Sequence, residues 1–344
     1  MKTSVLSDVQ ELSVKQREEP DVNADDVLIE VNRVGICGSD LHYYQHGQNG
    51  DNVVDFPHVL GHEAAGTVVE TGTGVTNVSV GDRVAIDPGK PCESCRYCEE
   101  GNYHLCESME YLSSPPTDGA LVERLAWPAK HVYPLPESVS LREGALCEPL
   151  SVAIHACRRA GVEENDSVLI TGAGPIGRLV AEVARDFGAD QIVMTDLVED
   201  KLMEAETAGV DITVNVSEED TLEVIKSEVD PRGVDVAIES SGAGPAVETV
   251  VDAIKRGGIV TFVGIPPETE VPLTVAETID GEYDVRGSFR FKNTYPDAIA
   301  GLKAGRYDVD SIVSFEESLE RTQEVFEQAT EPEHVKGVVR INDE

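Results

Sequence analysis

A strand, a glycine loop and a helix follow one another without a break between residues 167 and 188, and this unit constrains the fold more than any other part of the 344-residue chain. Ser167-Val168-Leu169-Ile170-Thr171 has the apolar, β-branched composition of a buried strand. It leads directly into Gly172-Ala173-Gly174-Pro175-Ile176-Gly177. Beyond the glycines, Ile176, Leu179, Val180, Val183, Ala184 and Phe187 recur at helical spacing, and Gly188 stands where such a helix should end. Residues 191–195 predict a second strand, closed by Asp196. A bare G-x-G-x-x-G is often only a flexible turn. Between a strand and a helix, its glycines let the backbone approach a pyrophosphate at the helix N-terminus, while an acidic residue about 20 positions on accepts hydrogen bonds from the adenosine ribose. Asp196 would repel the extra phosphate of NADP, so the pattern favours NAD; the plainer role for Asp196 is to cap a turn. Strand-like runs at 234–239, 258–263 and 283–288 alternate with helical patterns such as 221–229, which predicts a parallel doubly wound sheet of the Rossmann type. Val263-Gly264-Ile265 ends one of these runs, where the nicotinamide half should pass.

The first 127 residues have a different texture. Short β-type runs at 27–31, 64–70 and 83–86 alternate with turn residues and predict a β-rich domain whose loops carry the function. In Gly35-Ile36-Cys37-Gly38-Ser39-Asp40-Leu41-His42, a thiol, a hydroxyl and an imidazole fall within six residues. Cys37 reads as the first ligand of a catalytic metal, with His62 and Glu63, and Glu148 in Cys147-Glu148-Pro149, as its partners. One thiolate, one imidazole and a carboxylate suit Zn²⁺ and leave a fourth position for water or substrate. Taken singly, each of these residues is most often a packed core or surface side chain.

A second cluster, Cys92, Cys95, Cys98 and Cys106, packs four thiols into fifteen residues, enough to wrap one tetrahedral Zn²⁺ with no open position. An iron–sulfur cluster is the rival, although the last spacing is long and Glu107 rather than Pro follows Cys106.

The formal charge of −38, from 65 acidic and 27 basic side chains, argues against a nucleic-acid partner. Self-repulsion on this scale strains a compact chain unless salt screens it, which points to a very salty cytoplasm; an ordinary acidic protein with solvated faces is the alternative. The N-terminus lacks a hydrophobic signal core and no apolar run approaches a membrane span, so a cytoplasmic setting is expected, where seven Cys serve as thiols or metal ligands more often than as disulfides. At the far end, the pattern predicts helices at 298–303 and 316–329 and a last strand at 337–341.

With these residues in place, the chain resembles the zinc-dependent medium-chain alcohol dehydrogenases, and within them the sorbitol (L-iditol) and xylitol dehydrogenase branch. Residues 35–44 and 60–64 carry the likeness to the superfamily, and residues 148–159 and 287–294 the likeness to the polyol branch. The resemblance implies an α/β architecture: a GroES-like catalytic domain from 1–150 and 291–344, with a structural zinc lobe at 88–107, and a Rossmann NAD-binding domain at 151–290. It implies a catalytic zinc on Cys37, His62 and a glutamate, either Glu63 or Glu148, and a structural zinc on the four-cysteine lobe. It further implies substrate contacts at Tyr43, Glu148 and Arg290, a relay hydroxyl at Ser39, and cofactor contacts at Gly172, Gly174, Ile176, Gly177, Asp196, Lys201 and Ile265. Family members are commonly tetramers. Phe291 departs from the Tyr usual in animal relatives, which removes one hydroxyl near the substrate.

The implied reaction is reversible oxidation of a secondary alcohol of a polyol to the ketose, with hydride passing to NAD and zinc polarising the reacting oxygen. L-threonine 3-dehydrogenase ranks second, because it usually has Thr at the position of Ser39 and lacks the 151–159 pattern. Another sugar or alcohol dehydrogenase comes next. A non-catalytic NAD-binding protein is disfavoured by intact ligand positions and an unbroken phosphate loop.

Overall fold

The computed structural model describes residues 1–266 and 270–342; the last two residues of the expected 291–344 segment lie outside them. It divides into two compact units, Met1–Glu148 with Tyr295–Glu344, and Pro149–Thr294.

The first unit is built on a seven-stranded sheet. Its central strand, Asp26–Gly35, is buried along most of its length and pairs antiparallel with Glu63–Thr71 on one side and Lys336–Arg340 on the other. Gly66 permits one close approach there: a Cβ on it would lie 2.2 Å from the carbonyl oxygen of Glu30. Val27, Ile29, Val31, Val34, Val68, Val84 and Ile86 line the core of this unit.

The tail corrects one expectation. Residues 316–329 are not one acidic helix, because Val313–Ser318 is a strand paired parallel with Lys336–Arg340, and the helix covers only Thr322–Ala329. The sheet offers these residues ladder hydrogen bonds, and Glu316 gains an ion pair with Arg33 at 3.1 Å, so tertiary pairing overrides the local helical preference of its glutamates.

The second unit holds six parallel strands. In spatial order they are Ile212–Asn215, Gln191–Asp196, Ser167–Thr171, Val234–Glu239, Ile254–Phe262 and Asp284–Gly287. The order reverses between Ser167–Thr171 and Val234–Glu239, which sets a crevice at the carboxyl ends of those two strands. Helix Pro175–Asp186 buries Leu179, Val180, Val183 and Ala184. Helix Cys147–Ala160 carries Pro149 in its first turn, where a missing N–H costs nothing. Among the described residues, no helix is long and apolar enough to cross a membrane.

Candidate metal centres and cofactor cradle

Two chain reversals bring the predicted ligands together. Cys37 follows the central strand at the start of helix Gly38–His46, and Glu63 opens the neighbouring strand, where it sits opposite Gly35 in the antiparallel register. Ligand atoms of Cys37, His62 and Glu63 lie within 4.8 Å of one another, and both His62 and Glu63 are buried. Glu148 is also buried but stands outside that set; its Oε1 accepts a hydrogen bond from the Tyr111 hydroxyl at 2.8 Å. Ser39 lies in the first turn of helix Gly38–His46, and Tyr43 lies one turn later on the same face, buried.

The surroundings of the three ligands fit a divalent cation. Asp40 Oδ1 lies 3.3 Å from His62 Nδ1, which leaves Nε2 for the ligand role. That oxygen also accepts from the Ser113 hydroxyl at 2.5 Å, and Oδ2 accepts from the Cys37 amide at 3.2 Å. Burial favours a neutral Asp40 carboxyl, yet His62 and these donors hold it below its usual range. Burial likewise opposes a charged His62, but Asp40 and Cys37 drive its pKa well above the ordinary value. One thiol, one imidazole and one carboxylate form a donor set that suits Zn²⁺.

Glu63 completes the fit. Its Oε1 accepts from Lys336 Nζ at 2.6 Å, while its buried Oε2 has no hydrogen-bond partner. Space for that carboxylate exists because Gly35 lacks a side chain: a Cβ there would come within 2.1 Å of Oε2. Burial pushes Glu148 up to about 7, with the His62 charge pulling it down and the Glu63 charge adding to the rise.

The four-cysteine lobe is a separate centre. Cys92, Cys95, Cys98 and Cys106 bring their sulfur atoms within 4.8 Å of one another, the donor set and closeness a tetrahedral ion needs. A two-stranded ribbon, Gly89–Lys90 paired with Glu110–Tyr111, closes its base.

In the second unit, Gly172 has φ +94°, a backbone conformation that L side chains rarely adopt, and a Cβ on it would press on Ser241 at 3.1 Å. A Cβ on Gly177 would fall 1.8 Å from the Gly172 carbonyl oxygen, so this glycine locks the helix onto the loop. Gly174 is different: its missing Cβ would meet nothing within 4 Å, so the backbone stays open where a pyrophosphate would approach. Ile176 lies in the first turn of the helix that follows. Asp196 caps the turn after its strand, accepting from the Leu197 and Val198 amides at 2.8 and 2.9 Å, and it also accepts from Ala173 at 2.7 Å, which ties it to the glycine loop. Lys201 lies on the next helix, Glu199–Thr207. The Val263 amide bonds to the Glu239 carbonyl at 2.8 Å, and Ile265 is exposed beyond it. Arg290 and Phe291 belong to this unit as well; Arg290 has φ +53° and lays its guanidinium 4.6 Å from the centroid of the Phe289 ring.

Residues 23–137 match the alcohol dehydrogenase GroES-like domain, and residues 175–304 match the zinc-binding dehydrogenase domain. Over 329 residues the chain is 42% identical to the sorbitol dehydrogenase of Bacillus subtilis, covering 96% of this chain and 93% of that protein. The chain belongs to the zinc-binding alcohol dehydrogenase family. Solved structures similar to this dehydrogenase include an Escherichia coli oxidoreductase of unknown specificity involved in membrane biogenesis, with TM-score 0.95 and 34% identity over 99% of both chains. Another is a zinc-binding dehydrogenase of Sinorhizobium meliloti bound to NADP, with TM-score 0.93 and 31% identity, again over 99% of both chains.

Several side chains of the dehydrogenase site escaped the sequence reading. Asp40 lies inside the 35–42 motif, but its service to His62 depends on the fold. Ser113, Tyr111 and Lys336 are separated from their partners Asp40, Glu148 and Glu63 by 73, 37 and 273 residues, so spacing gives no signal for them.

Proposed function

We propose that this dehydrogenase catalyses reversible, NAD-dependent oxidation of a polyol of the sorbitol or xylitol type to its ketose. The observation that carries the reading is the convergence of Cys37, His62 and Glu63, with the buried Glu63 Oε2 lacking a hydrogen-bond partner, in a chain 42% identical to a sorbitol dehydrogenase. Zn²⁺ held by these three residues would act as the Lewis acid on the reacting oxygen, and a second Zn²⁺ on Cys92, Cys95, Cys98 and Cys106 would brace the lobe. Glu63 rather than Glu148 is the inner carboxylate in this scheme, since it shares the 4.8 Å set. Glu148 orients the reacting hydroxyl or a water beside it, and Ser39 passes the proton outward. Tyr43 and Arg290 bind hydroxyls away from the reacting carbon, and Phe291 in place of a Tyr removes one hydroxyl contact to the substrate. Gly172, Gly174, Ile176 and Gly177 cradle the pyrophosphate, Asp196 and Lys201 hold the adenosine ribose, and Val263 and Ile265 flank the nicotinamide. The Asp196 carboxylate supports NAD over NADP by charge repulsion.

The chain works as a homo-oligomer, a tetramer as is common in its family or else a dimer, in a salt-rich cytoplasm suited to a net charge of −38. The test is the initial rate of NADH formation by zinc-loaded protein in molar KCl with sorbitol, xylitol, threonine and a simple secondary alcohol. Polyol turnover is expected. Turnover of threonine alone would move the chain to the threonine dehydrogenases, and tight NAD binding without turnover of any alcohol would make it a binding protein.

A further inference from the structure

We infer that Tyr111 is a positioning residue for Glu148, delivered to the catalytic pocket by the four-cysteine lobe. The phenol is buried and donates to Glu148 Oε1 at 2.8 Å, and its ring packs beside that of His62 with centroids 5.7 Å apart. One aromatic side chain therefore touches a metal ligand with its face and edge and anchors the neighbouring carboxylate with its tip. A buried carboxylate in the first turn of a helix otherwise rotates about its side-chain bonds; a neutral donor fixes one oxygen and with it the plane of the carboxylate.

The source of Tyr111 matters as much as its contact. It is the last residue of Glu110–Tyr111, and it pairs with Gly89 in the ribbon at the base of the lobe. Cys92 and Cys106 both lie between the two strands of that ribbon, and the Cys92 amide bonds to Cys106 Sγ at 3.3 Å. An ion held by these four cysteines would close the loop whose exit strand presents the phenol. In this arrangement the lobe is a bracket for the active site as well as a local staple.

This inference rests on the polyol dehydrogenase reading for the role of Glu148, and its test separates the two. Tyr111→Phe removes the hydroxyl and keeps the ring. Zinc content and NADH affinity should stay at wild-type levels, while kcat for sorbitol falls about tenfold, the loss typical of an outer partner to a metal site. Glu148→Gln should cost at least as much, and the double variant Tyr111→Phe with Glu148→Gln should be no slower than Glu148→Gln alone, because Tyr111 acts only through Glu148. Additive losses, or a Tyr111→Phe rate within twofold of wild type, would overturn the assignment.

A readout independent of turnover is the visible spectrum of the enzyme with cobalt(II) in place of zinc. Tyr111→Phe should shift the bands of the catalytic ion, and superimposable spectra would remove the positioning role. A wild-type protein that oxidises no polyol would sink the functional reading, yet the cobalt comparison would still decide whether Tyr111 sets the geometry beside the metal.

Discussion

At the scale of single residues, the surroundings of Cys37, His62 and Glu63 are a balance of buried charge. Lys336 and Glu63 are both nearly inaccessible, at 2% and 1% side-chain exposure, so the pair is stable only while both partners are present. Burial alone would lower the Lys336 pKa, but the Glu63 and Cys37 charges keep it raised. Replacing Lys336 by Met leaves Glu63 uncompensated and should cost about 3–5 kcal/mol in metal-stripped protein. The loss should be smaller once zinc restores a positive neighbour. Urea midpoints of the stripped and loaded variant measure both, and equal losses would show that Glu63 does not feel the metal. A second residue sets an acid limit. Burial, reinforced by Lys130, lowers His131 to about 4, whereas the unfolded chain takes up that proton near its ordinary value of 6.5. Unfolded protein therefore binds more protons between these values, and stability from this site falls as pH drops from 6.5 towards 4. His131→Gln should flatten that part of the stability curve relative to wild type. An unchanged slope in acid-dependent denaturation would exclude His131 as its source.

At the scale of elements, glycines decide how closely strands, loops and helices approach. Gly177→Ala places a methyl 1.8 Å from the Gly172 carbonyl oxygen, a clash with backbone that no rotamer relieves. The helix must lift from the loop, so NADH affinity should fall by more than tenfold while the four-cysteine lobe, in the other unit, keeps its metal. Fluorescence titration with NADH and metal analysis of the same sample check the two halves of this expectation. The loop opposite is fixed by Glu239, whose Oε1 accepts from the amides of Ser241 and Gly242 at 2.7 and 2.8 Å and so shapes the wall facing the glycine turn. A short strand can decide as much as a long helix: the two residues of Glu110–Tyr111 connect the lobe to Glu148.

At the scale of the whole molecule, charge dominates. With 65 acidic against 27 basic side chains, anionic groups outnumber cationic ones more than two to one, and at 0.1 M salt they repel over a Debye length of about 10 Å. At 1 M that length shrinks to about 3 Å, so the melting temperature should climb as KCl is raised from 0.1 M into the molar range. A flat or falling melting curve would remove the salt-adapted reading. The amino-acid sequence by itself determined the Rossmann unit, because strand, glycine loop, helix and acidic residue are local in the chain and their periods are read directly from residues 167–196. It also named Cys37, His62 and Glu63 as candidate ligands and located the four-cysteine lobe, since thiols and imidazoles are scarce enough for their order to carry information. Tertiary structure decided what depends on convergence. It turned Val313–Ser318 into a strand against local preference, grouped Glu63 rather than Glu148 with the other two ligands, and recruited Lys336, Ser113 and Tyr111 from distant segments. Hydrogen bonds between residues far apart in the chain leave no periodic trace, so only the folded sheet, which fixes their register, brings them into view.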